Sequence, residues 1–581
     1  MNNFLKQKWG DATSFLERTQ KAGWIDLLVI AGLGGILFGV MSVARTWTGA
    51  HRPSIEIDLA PISLVKYTFY SLSRGLLAYS FSLVFTLFYG FWAAKDKLAA
   101  RVLLPLLDIL QSIPVLGFMP GLVLALVALF PDSNVGLELA AVIMIFTGQA
   151  WNMTFSFYQS LRSVPQDLQE VATIYRFNWW QRFRWTETPF ATVGLVWNSM
   201  MSMAGGWFFL MINESFVLGN KDFRLPGIGS YMSVAVAKGD IAAMIWAVFA
   251  MILMIVALDQ LLWRPVVVWA QKFRVEEAAQ EETMSSWFLA FLNRSKLVKS
   301  VKNFFGKMMN RTSAKPRSLT SLPLQSSKIS SRLMRTLSIS LFIFLVGTLI
   351  LGAFKLLLII HRVAWTEWLK IFTSALLTLC RVLSATLIGT LWTVPVGLRI
   401  GLSPRWSRNL QPVIQVAASF PAPMLFPAVI VLLKCFGVSL GIGSIILMLL
   451  GTQWYILFNV IAGAMAIPAD LREAARSYQL GRWQKFTKVY LPSIFPYLVT
   501  GWVTAAGGAW NASIVSEYVT FKGQVLTTWG LGSHISRAAE TANFPALAAG
   551  VIAMASVVVL FNRTVWRSCY QLAERRFSLN K

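Results

Sequence analysis

Apolar runs long enough to cross about 30 Å of hydrocarbon recur along this chain, separated by short polar segments. They lie near 25–44, 66–92, 104–130, 136–158, 190–213 and 241–263, then near 336–360, 374–400, 412–433, 440–463, 493–516 and 543–562. The pattern predicts an all-α, polytopic membrane protein of about twelve transmembrane helices, six per half. Pro and Gly interrupt several runs, so broken helices are expected among them. The first run is too long for a secretory leader and lacks a small-residue cleavage site followed by polar sequence, so it reads as an uncleaved anchor.

The polar segments alternate in charge as the positive-inside rule requires. Lys6, Lys8, Arg18 and Lys21 precede the first run; Lys95, Lys97 and Arg101 follow the second; Arg176, Arg182 and Arg184 follow the fourth; Arg264, Lys272 and Arg274 follow the sixth. Pro131-Asp132-Ser133-Asn134 carries no base and falls on the outer side. Arg405, Arg408, Arg476, Arg482, Lys485, Lys488, Arg563 and Arg567 repeat the arrangement. Both termini and the central linker are therefore expected in the cytoplasm, with the chain multi-pass in a plasma membrane.

Composition sharpens this. Of 581 residues 56% are hydrophobic and 13% charged, with mean hydropathy +0.59, which excludes an ordinary soluble protein. The net charge of +26 sits in the connections, where lipid and topology explain it, so no nucleic-acid partner is expected. Cys380, Cys435 and Cys569 show no metal or redox spacing, and His51, His361 and His534 are scattered; no metal site is expected.

The two halves are copies. From Trp151/Trp454 to Trp263-Arg264/Trp566-Arg567 the register holds at 303 positions without a gap, pairing Trp207 with Trp510, Glu214 with Glu517, and Gly227-Ile228-Gly229-Ser230 with Gly530-Leu531-Gly532-Ser533. Upstream the register is 307, pairing Arg74 with Arg381, Gly90 with Gly397, and Ser112-Ile113-Pro114 with Ser419-Phe420-Pro421. An even number of spans per half makes these parallel repeats, related by an axis along the membrane normal, with a central seam between them. The repeat divides the chain into an N-terminal segment with the first span, 1–65; a first transmembrane domain, 66–264; a basic linker, 265–335; the first span of the second half, 336–372; a second transmembrane domain, 373–567; and a tail, 568–581. Within the linker, Trp287, Phe291, Val298, Phe304 and Phe305 alternate with bases, which suits an amphipathic helix on an anionic lipid surface.

Each half contains one charged island, at 164–189 and 467–492. In the second, Pro468 opens a short helix, Asp470 and Glu473 sit near its positive end, Ala474 and Ala475 keep one face small, and Gly481 is expected to take the left-handed conformation that ends it. A basic, aromatic helix then runs to Leu491-Pro492 and the next span. The string Glu473-Ala474-Ala475, Gly481, Leu491-Pro492 resembles the EAA loop of permease subunits of bacterial ATP-binding-cassette importers. The first island matches at Glu170 and Ala172, has Val171 for the middle alanine and Asn178 for the glycine, and has Thr188-Pro189 for Leu-Pro. Asn tolerates the left-handed turn, so the turn is expected there as well.

The resemblance covers about 66–264 and 373–567 and is greatest to duplicated permeases of the nitrate/sulfonate/taurine-like anion branch. It implies the type I importer permease fold, and a coupling role for Glu170, Ala172, Asn178, Glu473, Ala474, Ala475 and Gly481. It also implies two ABC ATPase subunits as partners, with an extracytoplasmic solute-binding protein delivering the solute. No Gly-x-x-x-x-Gly-Lys-Ser/Thr cradle occurs, so no cofactor is expected on this chain, and ATP with Mg²⁺ belongs to the partners. The chain is accordingly expected to be a transport subunit and not an enzyme. Polar residues deep in the fifth spans are costly in lipid unless they face the seam or another helix; Trp207, Asn213, Trp510, Asn511, Ser513 and Ser516 are the pathway candidates. Glu214 and Glu517, at the ends of those spans, are expected either to form an outer gate or to pair with a nearby base such as Lys221 or Lys522. An ion-coupled secondary transporter can share this architecture, but it needs titratable groups at mid-membrane, and the span centres carry almost none.

Overall fold

The computed structural model describes residues 24–47, 55–218, 221–273, 286–300 and 328–576, and these are almost wholly helical. In chain order, α1 (Trp24–Trp47) is followed by α2 (Ser63–Lys95), α3 (Lys97–Ser112), α4 (Val115–Leu129), α5 (Val135–Arg162), α6 (Gln166–Ile174), α7 (Trp179–Arg182) and α8 (Thr188–Asn213). A hairpin of β1 (Ser215–Leu218) and β2 (Lys221–Arg224) leads to α9 (Ile228–Lys238), α10 (Ile241–Leu258), α11 (Arg264–Ala270) and α12 (Trp287–Arg294). The second half runs α13 (Lys328–Ile360), α14 (Trp365–Gly401), α15 (Pro404–Ser419), α16 (Phe426–Cys435), α17 (Leu440–Met465), α18 (Ala469–Ser477), α19 (Arg482–Lys485) and α20 (Leu491–Ser516). Its hairpin is β3 (Tyr518–Phe521) with β4 (Gln524–Thr527), and α21 (Leu531–Glu540), α22 (Phe544–Phe561) and α23 (Arg567–Arg576) close the chain.

Among the described residues, nine helices are long and apolar enough to cross a membrane, or ten if one bent pair is a single span. The sequence pattern predicts about twelve, and the difference lies mainly in the third run of each half. Pro114 stands between α3 and α4 with φ −62° and ψ 118°, and Pro421 between α15 and a 3₁₀ turn at Ala422–Leu425 with φ −69° and ψ 115°. Each lacks an N–H and forces the residue before it out of the helical region, so the run breaks. In the second half the two pieces meet at 82°.

The described residues fall into two compact units, one drawn from 1–46 and 257–346, the other from 47–256 and 347–581. In the smaller, the linker helix α12 is capped by Ser286, whose Oγ accepts from the Leu289 N–H at 3.2 Å. The Asp26 carboxylate of α1 accepts from Ser295 Oγ at 2.6 Å and from the Leu297 N–H at 3.1 Å, which ties the start of the first span to the linker. Phe304 and Phe305 lie outside the described residues.

The larger unit holds both copies of the repeat. Its first half is built on α2 against α5 and α5 against α8, its second on α14 against α17 and α17 against α20. Small residues make this close packing possible: a Cβ on Gly397 would meet Val460 Cγ1 at 2.7 Å, and one on Gly75 would meet the Trp207 indole at 2.7 Å. In the second half Val382 stands where Gly75 does in the first. The halves meet where the broken third runs cross over: α4 packs on α20 and α22, α15 and the 3₁₀ turn on α8.

Candidate coupling islands and carboxylate locks

Both islands fold alike. Pro165 and Pro468 are N-caps with nearly equal backbone angles (φ −54°, ψ 146° and φ −55°, ψ 144°), and Asp167 and Asp470 occupy the first turns. The short helices end by the same device. The Phe177 N–H donates to Ala172 O at 2.9 Å and the Arg176 N–H to Thr173 O at 3.0 Å; Leu480 and Gln479 donate correspondingly to Ala475 O and Arg476 O. This Schellman pattern requires a left-handed residue, and that residue is Arg176 or Gln479, each at φ 50°. The expectation that Asn178 and Gly481 supply the turn is thus corrected by two positions. Both are extended N-caps of the following helix, Asn178 at φ −69° and Gly481 at φ −62°. Asn178 exchanges two hydrogen bonds with Gln181, of 2.9 and 2.8 Å, while the Gly481 N–H donates to Gln484 Oε1 at 3.0 Å.

Beyond each cap the chain forms one continuous helical rod. From α7 it passes through a π turn at Phe183–Glu187 into α8, and from α19 through a π turn at Phe486–Tyr490 into α20. The wider turn falls just before Pro189 and Pro492, which cannot donate the ordinary backbone bond. Each rod, Trp179–Asn213 and Arg482–Ser516, runs 35 residues from island to span end.

Of the predicted coupling residues, Glu170, Glu473, Ala474, Asn178 and Gly481 are exposed, while Ala172 and Ala475 are buried against their own half. The islands also expose large apolar side chains, among them Ile174 (76%), Tyr175, Trp179 and Trp180 in the first and Tyr478 (79%) and Trp483 in the second.

At the other ends of the rods lie two ionic locks, the first buried and the second partly buried. Arg74 of α2 donates from Nε and Nη2 to the Glu138 carboxylate at 2.5 and 2.7 Å, and from Nη1 to Glu214 Oε1 at 2.8 Å and Pro226 O at 2.9 Å. Glu214 also accepts from Ser71 Oγ at 2.6 Å and from the Gly229 N–H at 2.7 Å. In the second half Arg381 binds Glu517 at 2.7 Å and Trp529 O at 2.8 Å, and Glu517 accepts from Thr378 Oγ at 2.9 Å and from the Gly532 N–H at 2.9 Å. Each glutamate thus sits on the N-terminus of the helix after the hairpin, where backbone N–H groups favour an anion.

The locks explain the Gly-x-Gly-Ser pairs. A Cβ on Gly227 would lie 2.2 Å from the Glu214 carboxylate and one on Gly530 2.3 Å from that of Glu517; on Gly229 or Gly532 it would strike the Met211 or Ser513 carbonyl. In each half the base is an arginine from the second span, which corrects the expected Lys522; the Lys221 side chain lies outside the described residues. Glu214 and Glu517 are fully buried, so neither is poised at a surface. The largest difference between the two locks is that Gly441 replaces Glu138, and Thr528 Oγ meets Arg381 Nη2 at 3.1 Å there.

The pathway candidates separate. Trp207 and Trp510 are buried in helix packing, Trp207 on Gly75, and Ser513 Oγ donates to its own helix at Trp510 O. Asn511 reaches across the halves: its Oδ1 accepts from the Val115 N–H at 2.8 Å, at the start of α4. Asn213 and Ser516 occupy matching positions, are buried, and have side-chain polar atoms without a hydrogen-bond partner among the described residues. No group of three or more His, Cys, Asp or Glu suited to a metal occurs among the described residues.

A duplicated helical core whose halves each carry one exposed island rigidly joined to a span is the build of a membrane transport component. The chain belongs to the binding-protein-dependent transport system inner membrane component family, whose model matches twice, at residues 86–262 and 389–578. It is similar to the nitrate import permease protein NrtB of Leptolyngbya laminosa, with 30% identity over 150 residues, 26% of this chain and 52% of the relative. The taurine transport system permease protein TauC of Escherichia coli K12 is 26% identical over 183 residues, 32% of this chain and 63% of the relative. The bicarbonate transport system permease protein CmpB of a Synechocystis strain is 27% identical over 149 residues, 26% of this chain and 52% of the relative. The chain spans about half the length of the first of these curated relatives.

Proposed function

We propose that this chain is the complete membrane pore of an ATP-binding-cassette importer for a small anionic solute, with both permease halves in one polypeptide. The observation that carries the proposal is the unbroken rod of 35 residues from each island to the lock end of its span. A partner that moves the islands moves the spans with them. The exposed Tyr175, Trp180, Tyr478 and Trp483 give that partner apolar surface to bind, beyond what a solvated loop needs, and Glu170 and Glu473 supply charge beside it.

On this reading two ATPase subunits dock on the islands at the cytoplasmic face, where the termini and the linker also lie, and hydrolyse ATP with Mg²⁺; this chain binds neither. An extracytoplasmic binding protein delivers solute to the opposite face. Residues 66–264 and 373–567 are the two permease domains, preceded by segments 1–65 and 336–372, joined by linker 265–335, and followed by tail 568–581. ATP binding favours the outward-open arrangement, and the cycle runs only as far as ATP discriminates between the two states. Asn213 and Ser516 are the polar groups best placed to line the seam when it opens, and Asn511 holds the halves together when it is closed. The relatives, permeases for nitrate, bicarbonate and taurine, support an anion.

Purification of the tagged chain from native membranes tests this. Two ATPase chains per permease chain, together with uptake that stops on ATP depletion, are the expected results. Uptake that survives ATP depletion but collapses with an uncoupler would overturn the reading in favour of an ion-coupled carrier.

A further inference from the structure

Behind the first island lies a cavity of about 160 Å³, lined by Ala94, Lys95, Leu161, Arg162, Val164, Gln169, Arg182, Thr186 and Glu187. It gathers the end of α2, the end of α5, the island helix α6 and the π turn that begins the first rod. Three bases face one acid. Glu187 is buried and paired with Lys95, so those two charges cancel and leave a surplus of two positive charges from Arg162 and Arg182. Arg182 spends one Nη on Thr173 Oγ of α6, at 3.1 Å, and its buried Nε has no partner among the described residues. Gln169 turns its amide N–H to Val164 O at 2.9 Å.

The second half repeats this only in part: Lys485 and Arg472 stand at the positions of Arg182 and Gln169, and Arg472 Nε is likewise buried without a partner among the described residues. Leu402, Met465, Val489 and Tyr490 stand at the positions of Lys95, Arg162, Thr186 and Glu187, and Leu402 and Tyr490 pack on an apolar cluster that includes Ala464, Ile467 and Ile494. A duplicated fold therefore tolerates apolar residues at these four positions, and shape alone does not call for Lys95, Arg162 and Glu187 in the first half.

We propose that this cavity of the first half is a binding site for a small oxyanion that ties the first island to the membrane helices. The chemistry selects the class. Two unneutralised guanidinium groups match the planar, multidentate oxygens of sulfate, phosphate, nitrate or a carboxylate. Pockets for drug-sized ligands run from about 300 Å³ upward, so a nucleotide is excluded, while an ion of four or five heavy atoms with a water or two fits. An occupant bonded to both Arg162 of α5 and Arg182 of the rod crosslinks the span to the element that must move. Its presence is expected to stiffen one island and leave the other unchanged. The same oxyanion chemistry is offered by a soluble anion and by a phospholipid headgroup.

The test uses the full chain in phosphatidylcholine nanodiscs without ATPase partners, so that it does not depend on the transport reading. Inorganic sulfate is titrated by calorimetry. One saturable site per chain is expected, weakened at least tenfold in Arg162→Met and in Arg182→Met, substitutions that leave the Lys95–Glu187 pair intact. Discs containing phosphatidylglycerol separate the sources: weakened sulfate binding there assigns the site to a lipid headgroup, and unchanged binding to a soluble anion. No sulfate binding in phosphatidylcholine discs, or equal affinity in wild type and Arg162→Met, overturns the proposal.

Discussion

Arg381 has one carboxylate where Arg74 has two, and the consequences of substitution differ accordingly. A buried pair deprived of one partner leaves a bare charge, at a cost of about 3–5 kcal/mol. Arg381 is partly buried and keeps Trp529 O and Thr528 Oγ, so Glu517→Ala should cost part of that amount, whereas Glu138→Ala, which leaves Arg74 bonded to Glu214, should cost less still. Thermal unfolding of the two variants in detergent checks the order, and equal losses would contradict it. A second residue-scale expectation concerns the left-handed positions. A non-glycine residue there costs about 1 kcal/mol, so Gln479→Gly should raise stability slightly, read as a higher unfolding midpoint. By contrast Gly481→Ala should fold normally, because nothing lies closer to its Cβ than Gln484 Oε1 at 3.8 Å. The arginine partners of the two glutamates were within reach of the sequence. A lone arginine inside an apolar run, repeated in register, demands a buried acid. The acid lies 140 residues away in one half and 136 in the other, which local spacing does not reveal.

At the scale of elements, the islands present exposed side chains on a rigid base. Glu473→Lys reverses an exposed charge that the structure leaves facing outward, so the fold should survive while capture of the ATPase partner falls at least tenfold in a pull-down. A variant that unfolds, or one that still binds its partner fully, contradicts the docking role. The islands, the spans and the duplication were legible because each rests on periodicity or on repeated strings. The turn was not placed correctly because glycine and asparagine attract a left-handed assignment, whereas the hydrogen-bond pattern fixes it four residues past the last buried alanine, at Arg176 and Gln479. The broken third runs were anticipated from proline, but proline does not by itself give the size of the bend, 82° in the second half.

For the whole molecule, the contact from Asn511 to the Val115 N–H joins the halves at one point and has no mate, since Phe208 occupies the matching position. Removing its acceptor leaves a buried donor unpaired, at a cost of about 1–3 kcal/mol. Asn511→Leu should lower the unfolding midpoint and raise ATP hydrolysis by the assembled complex in the absence of solute; unchanged basal hydrolysis would argue that the contact is not part of the closed seam. Such one-sided features arise from the fusion itself. A permease built from two identical chains writes every substitution twice, so any innovation must be tolerable on both sides of its axis. Here each copy mutates alone. Glu138 opposite Gly441, and Lys95 opposite Leu402, are chemistry that one copy carries and the other does not.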